Sequence, residues 1–507
     1  MEKRALLSVW NKTGIVELGR ELERLGYAIL STGGTFRVLE EAGVAVTAVS
    51  DVTGFPEILG GRVKTLHPAI HGGILARRKE SHLNELAAQG IAPIDLVVVN
   101  LYPFGETARK PGVTWEEVIE NIDIGGPTMV RAAAKNHESV TVVVNPSHYA
   151  ELLAALEEAG ETSPGFRRQL ALEAFAHTAA YDATIARYFS RELHPEQLPE
   201  TMLFYSDHKT ALRYGENPHQ KGAFYLDDQA RGLNKARILQ GKELSYNNLM
   251  DLDACLGMVM EFEEPVAVLV KHTNPCGAAI GETIGEAYRK AYQADPLSAF
   301  GSVMGFNRTI DGETARDITE TFMEAVLAPG YTQEALEIFS AKKNVRVLEI
   351  PLEERLERRE VRAIRGGFLL QDRDEALWDE TPEPVTEKQP TAEQMRDLTF
   401  AWKLVKHVKS NAIVMVKDGV TTGVGPGQTN RVGAARIALE MAGDRAKGSV
   451  LASDAFFPFR DTVDLAAAHG ITAVIQPGGS LRDTESLEAC EEHGIAMVFT
   501  GMRHFRH

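Results

Sequence analysis

Of 507 residues, 44% are apolar and 25% charged, the proportions of an ordinary soluble globular protein with room for about three domains at ~150 residues each. A formal charge of −17 speaks against a general nucleic-acid or membrane-surface binder and leaves room for local basic pockets that take anionic small molecules. Cys255, Cys276 and Cys490 are widely spaced and form no CxxC, so a reducing compartment is expected, without a disulfide framework or a cysteine-rich zinc site. With no long apolar stretch near Met1 and no run of ~18 apolar residues, the expected location is the cytoplasm, and no membrane partner is expected.

Along the first two hundred residues, Ile15, Leu18, Leu22 and Leu25 recur at helical spacing, and Tyr27–Leu30 reads as a strand. Ser31-Thr32-Gly33-Gly34-Thr35 follows, ahead of another amphipathic helix. Strand, glycine loop and helix in that order point backbone N–H groups at a phosphate, although no Gly-Lys-Ser/Thr closes the loop as in a Walker motif. A plain βα turn is the alternative. Arg62-Val63-Lys64-Thr65-Leu66-His67-Pro68 gathers two cations and a hydroxyl, as an anion-holding loop would. Ile94–Val99 is a buried strand ending at Asn100, with Tyr102 just beyond. Asn121-Ile122-Asp123-Ile124-Gly125-Gly126-Pro127 then leads to Lys135, and Val140–Val144 is a further strand. This alternation predicts a parallel sheet with helices on both faces. His67 and His71 lack the Glu of HExxH, so no metal is expected there. A mostly helical stretch from Tyr149 to Phe189 ends in the proline-bearing segment 192–199, which places the domain boundary near residue 200, giving domains 1–200 and 201–507.

In the second part, Leu212-Arg213-Tyr214-Gly215-Glu216-Asn217-Pro218-His219-Gln220 is too varied for a mere linker. Pro265–Val270 reads as a buried strand, and Lys271-His272-Thr273-Asn274 brings a cation, an imidazole and a carboxamide to its carboxyl end, where open α/β sheets bind ligands. Pro275-Cys276-Gly277 reads as the turn that follows; a solvated strand-to-loop junction is the alternative. Ser298–Gly301 and Ala328–Tyr331 are small-residue turns fit to floor a pocket or to reverse the chain. Residues 345–393, rich in Glu, Arg and Pro, read as a surface excursion or subdomain connection. Ser410-Asn411 precedes a strand, and Gly423-Val424-Gly425-Pro426-Gly427 reads as a second glycine-rich loop, ending in Arg431. A strand ending at Asp454 leads to Phe456-Phe457-Pro458-Phe459-Arg460-Asp461, a core cluster with Arg460 and Asp461 suited to the rim of a pocket for a flat ring. Another strand leads to Gln476-Pro477-Gly478-Gly479-Ser480, and Gly501–His507 reads as a frayed basic tail. The repeated strand-to-polar-loop junctions suggest an internally duplicated α/β unit.

Taken in order, these motifs closely resemble one family over essentially the whole chain: the bifunctional purine-biosynthesis proteins that join AICAR formyltransferase to IMP cyclohydrolase. The resemblance rests on Ser31-Thr-Gly-Gly-Thr, Gly61-Arg-Val-Lys-Thr-Leu-His-Pro, Asn121-Ile-Asp-Ile-Gly-Gly and Ala134-Lys-Asn-His. In the second part it rests on Leu212-Arg-Tyr-Gly-Glu-Asn-Pro-His-Gln, Val270-Lys-His-Thr-Asn-Pro-Cys-Gly, Lys409-Ser-Asn, Ser453-Asp-Ala-Phe-Phe-Pro-Phe-Arg-Asp and the terminal Arg-His-Phe-Arg-His. It implies an α/β protein with a methylglyoxal-synthase-like doubly wound N-terminal domain and a C-terminal domain of two cytidine-deaminase-like halves. It further implies formyl transfer from 10-formyltetrahydrofolate to AICAR, closure of FAICAR to IMP, no required metal, and a homodimer whose shared transferase sites take Arg213 and Tyr214 from the partner.

By the same resemblance, His272 is the base for the poorly nucleophilic AICAR amine, a role commonly worth about 10²–10⁴-fold. Lys271 steadies the formyl oxyanion or helps the folate nitrogen leave, and Asn411 aligns the amine or carboxamide. Arg431 and Arg503 anchor the nucleotide or its carboxamide, with Gly301, Phe456, Asp461 and Ser480 also binding substrate. Lys135, Asp123, Tyr102 and Lys64 are matched to cyclisation. Asn11, Lys12, Thr32, Gly33, Gly34, Thr35, Arg62, Thr65, Asn100 and Ile124 are matched to nucleotide binding, with the phosphate on the 32–35 loop. Two rivals remain to be weighed. A zinc deaminase needs His/Cys-x-Glu and Pro-Cys-x-x-Cys, whereas Asn274 follows His272 at the Glu position and Cys276 is followed by Gly-Ala-Ala. A nucleotide sensor built on residues 1–200 would need no proton donors beside its ligand.

Overall fold

The computed structural model describes residues 2–206, 208–226, 232–352 and 359–507, and the chain forms two compact units that meet between Tyr205 and Ser206. In the first unit, β1 (Lys3–Val9), β2 (Tyr27–Ser31), β3 (Val46–Ala48), β4 (Leu96–Asn100) and β5 (Thr141–Val143) form one parallel sheet in the order β3-β2-β1-β4-β5. Ala5, Leu6 and Leu7 on β1 and Val97 to Val99 on β4 are all buried. Near-continuous apolar runs of this kind are what a parallel sheet covered on both faces requires. The chain steps outward from β1 through β2 to β3, then returns to the other side of β1 to lay down β4 and β5. The strand order therefore reverses between β1 and β4, and the crevice beyond their carboxyl ends is the expected ligand position.

The helices follow their caps. Helix Ile15–Arg24 buries Ile15, Leu18 and Leu22. The helical stretch expected from Tyr149 is two helices: Tyr149–Ala159 stops at Gly160, a left-handed residue at φ 72°. The 30-residue helix Pro164–Leu193 then begins, with Ser163 accepting from the Phe166 amide at 3.1 Å and Pro164 at its first position. Among the described residues no helix is long and apolar enough to cross a membrane.

The second unit opens with the hairpin β6 (His208–Leu212) and β7 (Gly222–Leu226), and its core is a 12-stranded sheet made of two copies of one motif. In the first copy, β8 (Arg237–Gln240) lies at the outer edge, β9 (Val266–Lys271) and β10 (Asn274–Ile280) form a hairpin, and β11 (Val303–Phe306) runs antiparallel to β9. Two strands parallel to β11 follow, β12 (Ala325–Ala328) and β13 (Arg346–Glu349). A surface hairpin of β14 (Arg359–Ile364) and β15 (Gly367–Asp372) falls within the segment 345–393 expected to be a surface excursion; residues 353–358 of that segment lie outside the described residues. The second copy repeats the plan: β16 (Glu383–Pro384) at the edge, the hairpin β17 (Ile413–Lys417) and β18 (Val420–Gly425), β19 (Val450–Ser453) antiparallel to β17, then β20 (Ala473–Gln476) and β21 (Ala496–Phe499) in parallel. The copies join through antiparallel pairing of β10 and β18.

The copies are in register at a constant spacing along the chain. Ser245 and Thr391 each cap a helix with a capping box, Asp251 and Asp397 stand at equivalent positions in those helices, and Lys271 and Lys417 end the first strand of each hairpin. Gly277 and Gly423 also correspond: a Cβ would lie 2.2 Å from the Ala291 carbonyl oxygen in one and 2.0 Å from that of Ala438 in the other. Both strands press backbone to backbone against a helix, which only glycine permits. This corrects two expectations. Pro275 and Gly277 belong to β10 rather than to a turn, and Gly423 and Gly425 belong to β18 rather than to a glycine-rich loop. Their glycines serve helix packing.

Candidate active sites

In the first unit the switch-point crevice collects most of the residues picked out from the sequence. Asn100, ending β4, accepts from the Trp10 and Asn11 amides at 2.7 and 2.9 Å, which ties the carboxyl ends of β4 and β1 together. The helix Gly33–Glu41 starts directly after β2, with no acidic side chain in its first turn and Gly33 at φ 54°. Two lysines stand over this N-terminus: a Cβ at Gly33 would lie 3.4 Å from Lys64 Nζ, and one at Gly34 3.9 Å from Lys12 Nζ. Burial lowers the Lys12 pKa. Unpaired amides at a helix start, flanked by two cations, form an anion cradle. Thr32 donates to Glu57 at 3.0 Å, and the same carboxylate lies 3.5 Å from Lys64. Thr35 is a latch: its hydroxyl accepts from the Val9 amide and donates to the Val9 carbonyl at 3.0 and 2.9 Å, so it is committed to the backbone.

Beside the cradle lies an acid. Asp123 accepts from the Gly126 amide at 2.8 Å and from the Tyr102 amide, and burial pushes its pKa up, with these bonds and Lys64 pulling the other way. Gly125 and Gly126 make room: a Cβ would lie 2.6 Å from the Thr65 hydroxyl in the first case and 2.4 Å from the Asp123 carboxylate in the second. Tyr102 is exposed, its ring edge-to-face with Trp10 at 5.3 Å. Tyr181, not singled out in the sequence, accepts from the Asp123 amide at 2.7 Å and fixes the loop from the long helix; no local motif marks it. Arg62 is an exposed partner of Glu120, and Ile124 is exposed. Lys135 stands apart. It is the last residue of helix Gly125–Lys135, about 15 Å from the Gly125 end at 1.5 Å per residue.

In the second unit the registers put one set of chain segments along a single rim of the sheet. β9 ends there and β10 begins there; β18 ends and β17 begins there; β19, β20 and β21 end there and β11 begins there. Lys271, His272, Gly301, Asn411, Arg431, Phe456, Asp461, Ser480 and Arg503 all belong to these segments. Arg213 and Tyr214 lie instead beyond β6, on the separate hairpin, the guanidinium over the phenol ring at 5.6 Å.

His272 sits at the tip of the β9–β10 hairpin, in a two-residue turn closed by the Lys271–Asn274 pair. Both turn residues are left-handed, His272 at φ 54° and Thr273 at φ 65°. That is the signature of a type I′ turn, normally filled by Asn-Gly or Asp-Gly. A β-branched threonine there is an outlier costing about 1–3 kcal/mol. Asp251 holds the turn, accepting from the Thr273 amide at 2.7 Å and from that of His272, while burial raises its own pKa. Asn274 donates to the His272 carbonyl at 3.0 Å and accepts from the Lys409 amide at 3.4 Å, which links the turn to the Ser410-Asn411 segment. Lys271 Nζ donates to the Phe300 carbonyl at 3.0 Å, and the imidazole is exposed.

Across the rim, Asn411 donates from its side chain to the Gln428 carbonyl at 2.9 Å. Asp454 is fully buried and accepts from the Ser410 hydroxyl, from the Ala412 amide at 3.1 Å and from Arg431. Arg431 is thus a buried partner of Asp454; its Nε is buried without a hydrogen-bond partner. The tail is not frayed. His504 is buried, bonded to Asp374 at 2.6 Å and to the Leu377 carbonyl at 3.2 Å, and the Arg506 amide donates to Ser410 at 3.0 Å. Arg503 lies over the Phe505 ring at 4.7 Å. Arg460 is not free for a ligand: Asp464 and Glu492 hold it and raise its pKa, and Phe457 is core while Phe456 is exposed. Among the described residues, no three His, Cys, Asp or Glu side chains are grouped as a metal site.

Comparison with known proteins adds the following. The profile of the AICARFT/IMPCHase bienzyme family matches residues 133–441, and that of the MGS-like domain matches residues 14–128. The chain is 57% identical to the bifunctional purine biosynthesis protein PurH of Anoxybacillus flavithermus, 54% to that of Desulfitobacterium hafniense and 54% to that of Listeria monocytogenes, each over 100% of both chains. A solved structure named "Crystal structure of ForH" is 41% identical over 37% of this chain and 100% of its own, with a TM-score of 0.34.

Proposed function

The chain belongs to the AICARFT/IMPCHase bienzyme family, and from that membership we propose which residues carry each of its two reactions. It is a bifunctional enzyme of purine biosynthesis: it transfers a formyl group from its co-substrate 10-formyltetrahydrofolate to AICAR, giving FAICAR, and closes FAICAR to IMP with loss of water. The formyl transfer is assigned to the rim of the second unit, Ser206–His507, and the closure to the switch-point crevice of the first, Met1–Tyr205. The observation that carries this is the convergence of Lys271, His272 and Asn411 on one rim, through strands far apart in sequence.

In formyl transfer, the 5-amino nitrogen of AICAR attacks the formyl carbon as His272 takes its proton. Lys271 turns from the Phe300 carbonyl to the developing oxyanion. Collapse breaks the bond to the folate nitrogen, which takes the proton back from His272. Asn411 aligns the amine, and Arg503, Phe456, Asp461, Ser480 and Gly301 border the substrates. Arg431 acts by holding Asp454 and, through it, the Ser410-Asn411 segment, and its Nε stays buried without a partner. In closure, the phosphate rests on the Gly33–Gly34 helix start under Lys12 and Lys64. Asp123 takes a carboxamide proton as that nitrogen attacks the formyl carbon, and Tyr102 or Lys64 serves the departing water. A raised Asp123 pKa suits a base that must later return its proton.

A homodimer is proposed, with Arg213 and Tyr214 serving the partner's transferase site. Lys135 is kept in the cyclisation set by its family position. The location proposed is the cytoplasm. A mass-resolved product assay tests the assignment: with AICAR and 10-formyltetrahydrofolate, Asp123→Asn is expected to stop at FAICAR. If it makes IMP at the wild-type rate, Asp123 is not the base.

A further inference from the structure

The two hairpins of the second unit differ where their folds agree. In the second copy the turn is Asp418-Gly419, at φ 53° and 70°, a favoured type I′ pair, and Asp397 receives both of its amides at 2.9 and 2.7 Å. In the first copy Asp251 makes the same clamp, but on His272-Thr273, a pair that does not hold this conformation unaided. Burial raises both aspartates' pKa values, and both hold their amides nonetheless. One clamp closes a turn that would form anyway. The other holds a turn whose tip is an exposed imidazole.

We infer that Asp251 is a positioning residue for formyl transfer: by binding the turn amides it fixes where the His272 imidazole stands. The inference rests on the reading of His272 as the base. Asp251 accepts from the amides of both peptides that flank the His272 Cα, so the direction of the imidazole follows from it. Asn274 holds the carbonyl of the same residue. Without the carboxylate, Thr273 returns toward φ < 0 and swings His272 away from a substrate held at Asn411. A misplacement of about 1 Å at a reacting group is enough for a loss of about 10²-fold.

The internal copy supplies the control. Asp251→Asn and Asp397→Asn are both expected to lower the melting temperature, Asp251→Asn by more. Only Asp251→Asn should lower kcat for formyl transfer, by about 10²-fold, with KM for AICAR little changed and closure of supplied FAICAR unaffected. Adding Thr273→Gly to Asp251→Asn should recover the melting temperature without recovering kcat, since glycine accepts the turn but does not aim the histidine. Thr273→Gly alone, with Asp251 intact, should fold at least as stably as wild type and keep its kcat, because the clamp on both turn amides still aims the histidine. The inference is overturned if Asp251→Asn keeps the wild-type kcat, if its kcat returns with its melting temperature in the glycine double variant, or, should Asp251→Asn alone not fold, if the folded double variant turns over as fast as Thr273→Gly alone. His272→Gln separates the premise: normal formyl transfer by that variant would remove the base assignment itself, whatever Asp251 does.

Discussion

Lys271-His272-Thr273-Asn274 and Lys417-Asp418-Gly419-Val420 occupy the same place in two copies of one motif, and the comparison separates what the fold needs from what the reaction needs. Each turn is clamped by an aspartate from the same helical position, and each lysine donates to a carbonyl in the following loop, Lys271 to Phe300 at 3.0 Å and Lys417 to Lys447 at 3.1 Å. The second copy has the residues a tight hairpin prefers. The first gives up that preference at three positions, where it carries an imidazole, a β-branched residue and an amide that bridges to Lys409. Deeper in the sheet the asymmetry is reversed. Asn307 accepts from the Val266 amide at 2.9 Å and donates to the Phe262 and Glu264 carbonyls, satisfied by backbone alone. Its counterpart Asp454 is charged and holds Arg431 and Ser410 beneath the rim. Because β10 and β18 pair antiparallel, the active turn of one copy shares its rim with the charged strand end of the other. The site is built from the half of each copy that departs from the shared plan.

The comparison makes graded predictions. The largest effect is expected at His272: His272→Ala should cost formyl transfer about 10²–10⁴-fold, while Asp418→Ala at the equivalent turn leaves the rate unchanged, both measured as initial rates. Next, Asp123→Asn should slow FAICAR closure by about 10²-fold or more and leave formyl transfer intact, which sets the N-terminal crevice against the rim.

A stability test of the turns comes third. Gly419→Thr imposes on the second copy the residue the first tolerates, and its Cβ would meet Ile280 Cγ1 at 2.7 Å. A loss of about 1–3 kcal/mol is expected in denaturant titration, larger than any loss from Thr273→Gly. The smallest effect concerns pH. Because burial raises the Asp123 pKa and lowers that of Lys12, the carboxylate base is lost at a higher pH than an ordinary aspartate on the acid side. Phosphate binding weakens before an ordinary lysine would titrate on the alkaline side. The closure pH profile should therefore be narrowed at both limbs, and Lys12→Arg should restore the alkaline one.

Much of the fold was legible because the strands are short, apolar and followed by polar loops. The duplication showed in that rhythm, and the carboxyl-end position of Lys271 and His272 followed from strand polarity. What misled was glycine. In Gly423-Val424-Gly425-Pro426-Gly427 the sequence pattern of a glycine-rich loop and that of a strand pressed against a helix are alike, and the 1.9 Å approach of a Gly425 Cβ to the Ala434 carbonyl oxygen tells them apart. The tail reads as frayed because its anchors, Asp374, Leu377 and Ser410, are remote in sequence. Asp251 and Tyr181 were invisible for the same reason: each acts through a backbone amide in another segment, a contact that leaves no local motif.

The central claim is that two separate sites divide the two reactions. Purified enzyme, His272→Ala and Asp123→Asn would each be given AICAR with 10-formyltetrahydrofolate and, separately, FAICAR alone, and the products resolved by mass. The account predicts IMP from wild type in both cases, FAICAR accumulation from Asp123→Asn, and from His272→Ala no formyl transfer but normal conversion of supplied FAICAR. Loss of both reactions in either folded variant would contradict it, because the reactions would then share one site.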